Sequence, residues 1–349
     1  MKLAVRLDHS PYIGLGHLKR CLEIALKLKS FNVQVHFICR KHLNSDYSFI
    51  LDKGFPLHEL EEVQLDEEQI SNSSNWLGVS QFKDSQETLK FLDSLNFDAV
   101  LVDHYGINIE WERFIRNEYK LICMDDINRK HDADMLIDYS FWKKEASLNK
   151  LVNSECKVLV GKEFTPIHKD FEQKQNKKMN LNNPNLLISL GGSDNENLLE
   201  PIIESISSAR KLFNNLLIVI SKADRYKLRD ILEANRIEAN VHIAPFGLNN
   251  IYLQADLCIG SSGISAIERC LVNIPSLLIV KAENQVDLSR YLKSKFLAST
   301  IHKDEDISKK VREFLLDREL HLKIFKNCND FNVTSGSPRI AQEIIDLIK

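Results

Sequence analysis

The sequence predicts an α/β protein made of two doubly wound domains, each with a mostly parallel sheet, facing one another across a cleft. Three observations carry this. Short apolar runs alternate with amphipathic helical segments, the pattern of sheets assembled from βαβ units. The alternation stops over 165–184, TPIHKDFEQKQNKKMNLNNP, a polar stretch that reads as a linker, and then resumes. At 349 residues the chain exceeds what one core usually holds, so two domains of roughly 150 residues each are expected. The expected boundaries are 1–165 and 180–335, with a terminal helix over 336–349.

In the first half the expected strands are LAVRL (3–7), VQVHFIC (33–39), DAVLVD (98–103), LICMDD (121–126) and KVLVG (157–161). In the second they are NLLISL (185–190), NLLIVIS (215–221), VHIA (241–244), DLCIG (256–260) and PSLLIV (275–280). A helix follows the first strand, because Leu18, Leu22, Ile24, Ala25 and Leu28 recur at helical spacing. KDSQETLKFLDSL (83–95) has the same period, whereas the rest of 40–95 resists assignment.

Composition narrows the function classes. A hydrophobic fraction of 44%, a charged fraction of 27% and a net charge of −3 give no electrostatic argument for nucleic acid or an anionic membrane. The seven cysteines (21, 39, 123, 156, 258, 270 and 328) form no CxxC pair and read as buried thiols of a reducing cytoplasm. No apolar run approaches the ~18 residues of a membrane span, and no export signal is read. The expectation is a cytoplasmic monomer acting on a small molecule.

The first βα turn, IGLGHLKRC (13–21), lies where open α/β sheets bind ligands, outside the carboxyl end of a strand. Gly14 and Gly16 let a ligand approach the backbone. His17 falls in the first helical turn, where the dipole disfavours imidazolium and leaves a ring that can take a proton. A solvated or capping histidine is the alternative. A second such turn, DLCIGSSGISAIERC (256–270), puts Ser262, Gly263 and Ser265 at a helix start suited to a diphosphate. Glu268, one turn on, could accept hydrogen bonds from ribose hydroxyls or simply stabilise the first turn. SLGGSDNEN (189–197) offers Gly192 and Ser193 in the corresponding place, but no GK[ST] follows, so it is not a P-loop.

Asp103, His104 and Tyr105 end a strand and point by topology into the same cleft, as sugar contacts or as support for His17. Asp125, Asp126 and Arg129 fit a structural ion-pair cluster as well as a site. The eleven histidines show no HxxxH or HxH spacing, which argues against a metal.

IGLGHLKRC, WLGVSQFKDSQETL (76–89), VDHYGINIEWE (102–112), MDDINRKHDADMLID (124–138), SLGGSDNEN, ADLCIGSSGISAIERC and AENQ (282–285) together resemble the UDP-2,4-diacetamido-2,4,6-trideoxy-β-L-altropyranose hydrolases of pseudaminic acid biosynthesis. The resemblance runs from the first strand to about residue 300. It implies a GT-B-like fold of two Rossmann-like domains and a metal-independent hydrolase without cofactor. Water would attack C1 of a UDP-sugar, with inversion, to release UDP and the free sugar. It assigns His17 as general base; Gly14, Gly16 and Arg20 in the same turn are expected to bind substrate. Gly263, Ser265 and Glu268 fall on the nucleotide helix, and Asn284 and Gln285 on the AENQ motif. A GT-B glycosyltransferase and a non-catalytic nucleotide-sugar-binding protein are the rival readings.

Overall fold

The computed structural model describes residues 1–171, 177–191, 197–222, 224–243, 245, 247–302 and 304–349. These form two compact units, Met1–His168 with Thr334–Lys349, and Lys169–Val333.

The first unit holds strands β1 (Lys2–Arg6), β2 (Gln34–His42), β3 (Leu57–Val63), β4 (Ala99–Val102), β5 (Lys120–Met124), β6 (Met135–Asp138) and β7 (Lys157–Val160). They form one parallel sheet in the order β3-β2-β1-β4-β5-β6-β7. The second unit holds β8 (Leu186–Ser189), β9 (Leu216–Ile220), β10 (Asn240–Ile243), β11 (Leu257–Ser261), β12 (Ser276–Val280) and β13 (Ser299–His302). Their order is β10-β9-β8-β11-β12-β13, again all parallel. Central strands such as β4, AVLV, are buried at every position. Helices cover both faces, so such strands read as continuous apolar runs rather than alternating ones.

Three strands are absent from the sequence expectation, for physical reasons. β3, LHELEEV, is an edge strand whose glutamates stay exposed; charged side chains on an edge guard it against pairing with another chain. β13, STIH, is a short polar edge. β6, MLID, is buried throughout but only four residues long, and charged residues precede it.

The first helix, Gly16–Ser30, buries Leu18, Cys21, Leu22, Ile24, Ala25 and Leu28, an apolar stripe at helical period. His17 and Arg20 are buried on the same helix, and this is the unusual part of its sequence. The terminal helix, Ser337–Ile348, packs against Gly16–Ser30 and therefore belongs to the first unit. Gly336 begins it because a Cβ there would collide with the backbone of Phe164 and Thr165. The Gly336 N–H donates to Thr165 O at 2.7 Å. The first residues of the expected linker, Thr165 and Ile167, are thus buried under the returning chain.

In each sheet the strand order reverses once, between β1 and β4 and between β8 and β11. At such a switch point the connections leave in opposite directions and open a crevice at the carboxyl ends of the strands.

Candidate active site

His17 and Asp103 follow the two strands at the first switch point. His17 Nδ1 lies 2.6 Å from Asp103 Oδ1. Arg20 clamps the same carboxylate, Nε to Oδ2 and Nη2 to Oδ1, both at 2.5 Å. The Cys21 thiol also donates to it, at 3.4 Å. Burial alone would raise the Asp103 carboxyl, but Arg20 and His17 hold it well below the usual carboxylate range. The carboxylate is therefore an acceptor only. Arg20 Nη2, 3.1 Å from His17 Nδ1, can only donate. The shorter, charge-assisted contact with Asp103 thus fixes the imidazole proton on Nδ1. Nε2, which has no partner among the described residues, is left as the basic nitrogen. An imidazole in this state can take a proton from water or a hydroxyl.

The turn that presents His17 is closed locally. Gly14 N–H donates to Ser10 O at 2.9 Å, and Gly14 O lies 2.9 Å from His9 Nδ1. Gly14 adopts φ +78°, a left-handed conformation that favours glycine. A Cβ built on Gly14 or on Gly16 would meet nothing within 4 Å. Packing does not demand the missing side chain at Gly16, so the space beside His17 is open to a ligand.

Tyr105 stands edge-on to the His17 ring, with centroids 4.5 Å apart. Its hydroxyl donates to Asp126 Oδ1 at 2.6 Å, and Tyr139 donates to Asp126 Oδ2 at 2.5 Å. Arg20 Nη1 is 3.6 Å from Asp126 and 3.3 Å from the Tyr139 hydroxyl. Asp126 therefore joins two tyrosines to the Arg20–Asp103–His17 group, while Asp125 does something else. It pairs with Arg129, whose guanidinium donates to His104 O at 3.1 Å, Tyr105 O at 2.7 Å and Ile107 O at 2.5 Å. Arg129 fixes the loop that carries Asp103, His104 and Tyr105.

His104 does not support His17. It is buried with Nε2 3.0 Å from Asp8 Oδ2, and its Nδ1 accepts the Gly106 N–H. Burial pushes its imidazole pKa down, against the pull of Asp8. Asp8 in turn pairs with buried Arg6, which bridges to Asp84 and so ties the end of β1 to the helix Gln81–Leu95.

Tyr139 was not singled out in the sequence, yet MLIDYS repeats the pattern of VLVDHY, an apolar run ending in Asp and an aromatic. Both run down parallel strands to the same edge of the sheet.

In the second unit, β8, β11 and β12 are neighbours, so the turns after them share one edge. Gly263 caps the helix Ile264–Leu271 in an extended conformation, and a Cβ there would meet nothing within 4 Å. Ser262 is fully buried and its hydroxyl donates to Gln285 O at 3.4 Å, so it shapes the turn rather than offering an open hydroxyl. Gln285 is likewise used internally, accepting the Lys281 N–H at 3.0 Å. Ser265 accepts from Arg269 at 3.3 Å. Arg269, unremarked in the sequence, is fully buried and also donates to Ser261 O at 2.7 Å, bracing the turn from inside. Glu268 and Asn284 are half-buried at this edge. Gly192 and Ser193 lie outside the described residues.

Among the described residues one group could hold a metal ion by proximity, Glu112, Cys123 and His131, with ligand atoms within 4.8 Å of one another. Its imidazole is already held by two carboxylates, Glu112 at 2.8 Å and Asp125 at 3.4 Å. Burial would lower the His131 pKa, but these partners raise it to about 9. The group reads as a buried imidazolium between carboxylates.

No family model matches the chain. It is 23% identical over 310 residues to the UDP-2,4-diacetamido-2,4,6-trideoxy-β-L-altropyranose hydrolase of Campylobacter jejuni, covering 88% of this chain and 94% of that protein. It is 25% identical over 300 residues to an uncharacterised protein of Methanocaldococcus jannaschii, covering 82% of this chain but 57% of that one. Solved structures with the same fold include MurG of Acinetobacter baumannii, at TM-score 0.64 and 14% identity over 99% of this chain and 100% of that one. S. aureus MnaA solved with UDP gives TM-score 0.68 at 14% identity over 99% and 97%. The UDP-GlcNAc 2-epimerase of Neisseria meningitidis, bound to UDP-GlcNAc, gives 0.65 at 14% over 99% and 100%. The chain therefore has a GT-B-like fold and is similar in sequence to the UDP-2,4-diacetamido-2,4,6-trideoxy-β-L-altropyranose hydrolase of Campylobacter jejuni.

Proposed function

We propose that this protein hydrolyses a UDP-linked 2,4-diacetamido-2,4,6-trideoxy sugar to UDP and the free sugar, in pseudaminic acid or related nonulosonate biosynthesis in the cytoplasm. The observation that carries this reading is the His17–Asp103 pair beside open space at the first switch point. The hydrolase relative supports the reaction class.

His17 Nε2 accepts a proton from a water aimed at C1. The oxygen of that water forms the new C1–O bond as the C1–O bond to the diphosphate breaks, and attack opposite the leaving group inverts C1. The Nδ1–H bond to Asp103 holds the ring in the productive tautomer and stabilises the imidazolium that forms, the general role of a carboxylate behind a catalytic histidine. Arg20 keeps Asp103 ionised. UDP departs as a stable anion, so no partner acid of the paired-carboxylate kind is required. The second unit binds the nucleotide. Backbone N–H groups at the start of Ile264–Leu271 face the diphosphate, where preorganised dipoles stabilise the growing charge. Glu268 takes the ribose hydroxyls, and Asn284 contributes to the pocket. No metal or cofactor enters this scheme.

Transfer to an acceptor hydroxyl would use the same base, and glycosyltransferases share the fold. Incubating the purified protein with UDP-diacetamido sugars and following free UDP separates the two: hydrolysis releases UDP with no acceptor present, whereas transfer requires one.

A further inference from the structure

Beside His17 runs a wall of aromatic rings that the reaction as described does not use. Tyr105, edge-on to His17, stands 6.1 Å from Trp76 at a tilt of 33°. Trp76 is in edge contact with Tyr12 at 6.5 Å. All three are half-buried. None is loose. The Trp76 Nε1–H donates to Ile70 O at 2.8 Å, the Tyr105 hydroxyl is held by Asp126, and the Tyr12 hydroxyl lies 2.7 Å from His42 Nδ1.

The backbone is arranged to bring Trp76 to this place. Gly106, next to Tyr105, approaches the following segment so closely that a Cβ there would lie 2.6 Å from Leu77 N. The Gln81 amide then donates to Gly106 O at 2.8 Å. Only a glycine at 106 lets the chain bearing Trp76 lie against the loop bearing Tyr105. An indole fixed at its polar edge, half-buried and in ring contact with the tyrosine that abuts His17, can offer apolar surface to whatever His17 acts on.

We propose that Trp76 is a specificity-determining residue, forming with Tyr105 and Tyr12 the surface against which apolar substituents of the sugar rest. This inference builds on the proposed function. A 2,4-diacetamido-2,4,6-trideoxy sugar carries a methyl at C6 and two acetamido methyls, where common hexoses carry hydroxyls. These methyls can bury against aromatic rings without leaving a hydroxyl unpaired, so the wall favours the deoxygenated, acetylated sugar.

The test uses the full chain carrying His17→Asn, so that ligand is not consumed, and calorimetry with two probes, UDP and the UDP-2,4-diacetamido-2,4,6-trideoxy sugar. The ratio of the two dissociation constants measures what the sugar contributes. Adding Trp76→Ala should reduce that ratio by about tenfold, the scale of a lost apolar pocket contact. UDP affinity should stay within threefold, and Trp76→Phe should retain most of the ratio. An unchanged ratio in a folded Trp76→Ala variant overturns the role of Trp76 and leaves the proposed function intact. Equal weakening of UDP and UDP-sugar assigns Trp76 to structure and overturns it too. If His17→Asn alone binds the UDP-sugar no better than UDP, there is no sugar recognition to explain, and the substrate reading falls together with this inference.

Discussion

His17 and Asp103, 86 residues apart in sequence, meet at 2.6 Å because β1 and β4 are neighbours at the point where the sheet order reverses. The carboxylate is fully buried and shared with Arg20. Replacing it with Asn removes the acceptor that fixes the His17 tautomer and leaves the Arg20 charge short of its main partner. Asp103→Asn should lower kcat roughly 10²-fold or more. It should also cost about 3 kcal/mol of stability, because a buried guanidinium loses its counter-charge. Steady-state UDP release and urea denaturation check the two effects, and UDP affinity should stay within a few-fold.

Arg129 acts at one remove, holding three backbone carbonyls of the loop 104–107. A lysine keeps the charge but cannot reproduce the planar fork that reaches them. Arg129→Lys should therefore reduce kcat about tenfold through misplacement of Asp103 and Tyr105, with the UDP dissociation constant unchanged. Stopped assays for kcat, paired with UDP calorimetry, show whether the effect divides this way.

The nucleotide turn makes an independent prediction. A Cβ on Gly263 meets no protein atom, so Gly263→Val should fold normally. It should nonetheless weaken UDP at least tenfold, about 1.4 kcal/mol, by blocking approach to the helix start. Calorimetry decides, and unchanged affinity in the folded variant would move the nucleotide elsewhere.

His131 makes a pH prediction. Its folded pKa, about 9, lies above the ordinary 6.5 because Asp125 and Glu112 stabilise the imidazolium despite burial. A raised pKa means that the folded state holds the proton more tightly than the unfolded chain. The stabilisation is then fully present below about pH 6.5 and is lost as pH rises toward 9, on the order of 3 kcal/mol over that window. Urea denaturation of wild type and His131→Gln at pH 6 and pH 9.5 should show the gap between them narrowing as pH rises.

Much of this architecture was legible because parallel strands covered on both faces are apolar at every position. Ten largely apolar runs stand out, from LAVRL to PSLLIV, each within a few residues of an observed strand, and one of them marks the exposed edge strand β10. The strands that escaped are charged or short, as LHELEEV and STIH at the sheet edges show. The glycine turn drew attention to His17, and a strand ending in Asp103 placed a carboxylate on the same side of the sheet. What linear sequence could not show is side-chain direction. His104 and Asp103 are adjacent, yet one turns to Asp8 and the other to His17. Asp125 and Asp126 divide in the same way, one holding Arg129 and the other two tyrosines. Neighbouring residues at a strand end point to opposite faces, so each pair splits between two networks. Arg269 drew no attention in the sequence, because its burial beneath the 261–265 turn depends on packing between elements.

The central claim is that His17 is the base that activates water at C1. The most direct measurement is acceptor-free UDP release by wild type and by His17→Asn, with UDP binding followed in parallel. Asn keeps a polar side chain of similar reach and removes the basic nitrogen. The account predicts that kcat falls roughly 10²-fold or more while UDP affinity stays within a few-fold, since the nucleotide is assigned to the other unit. Full turnover by a folded His17→Asn variant would contradict it.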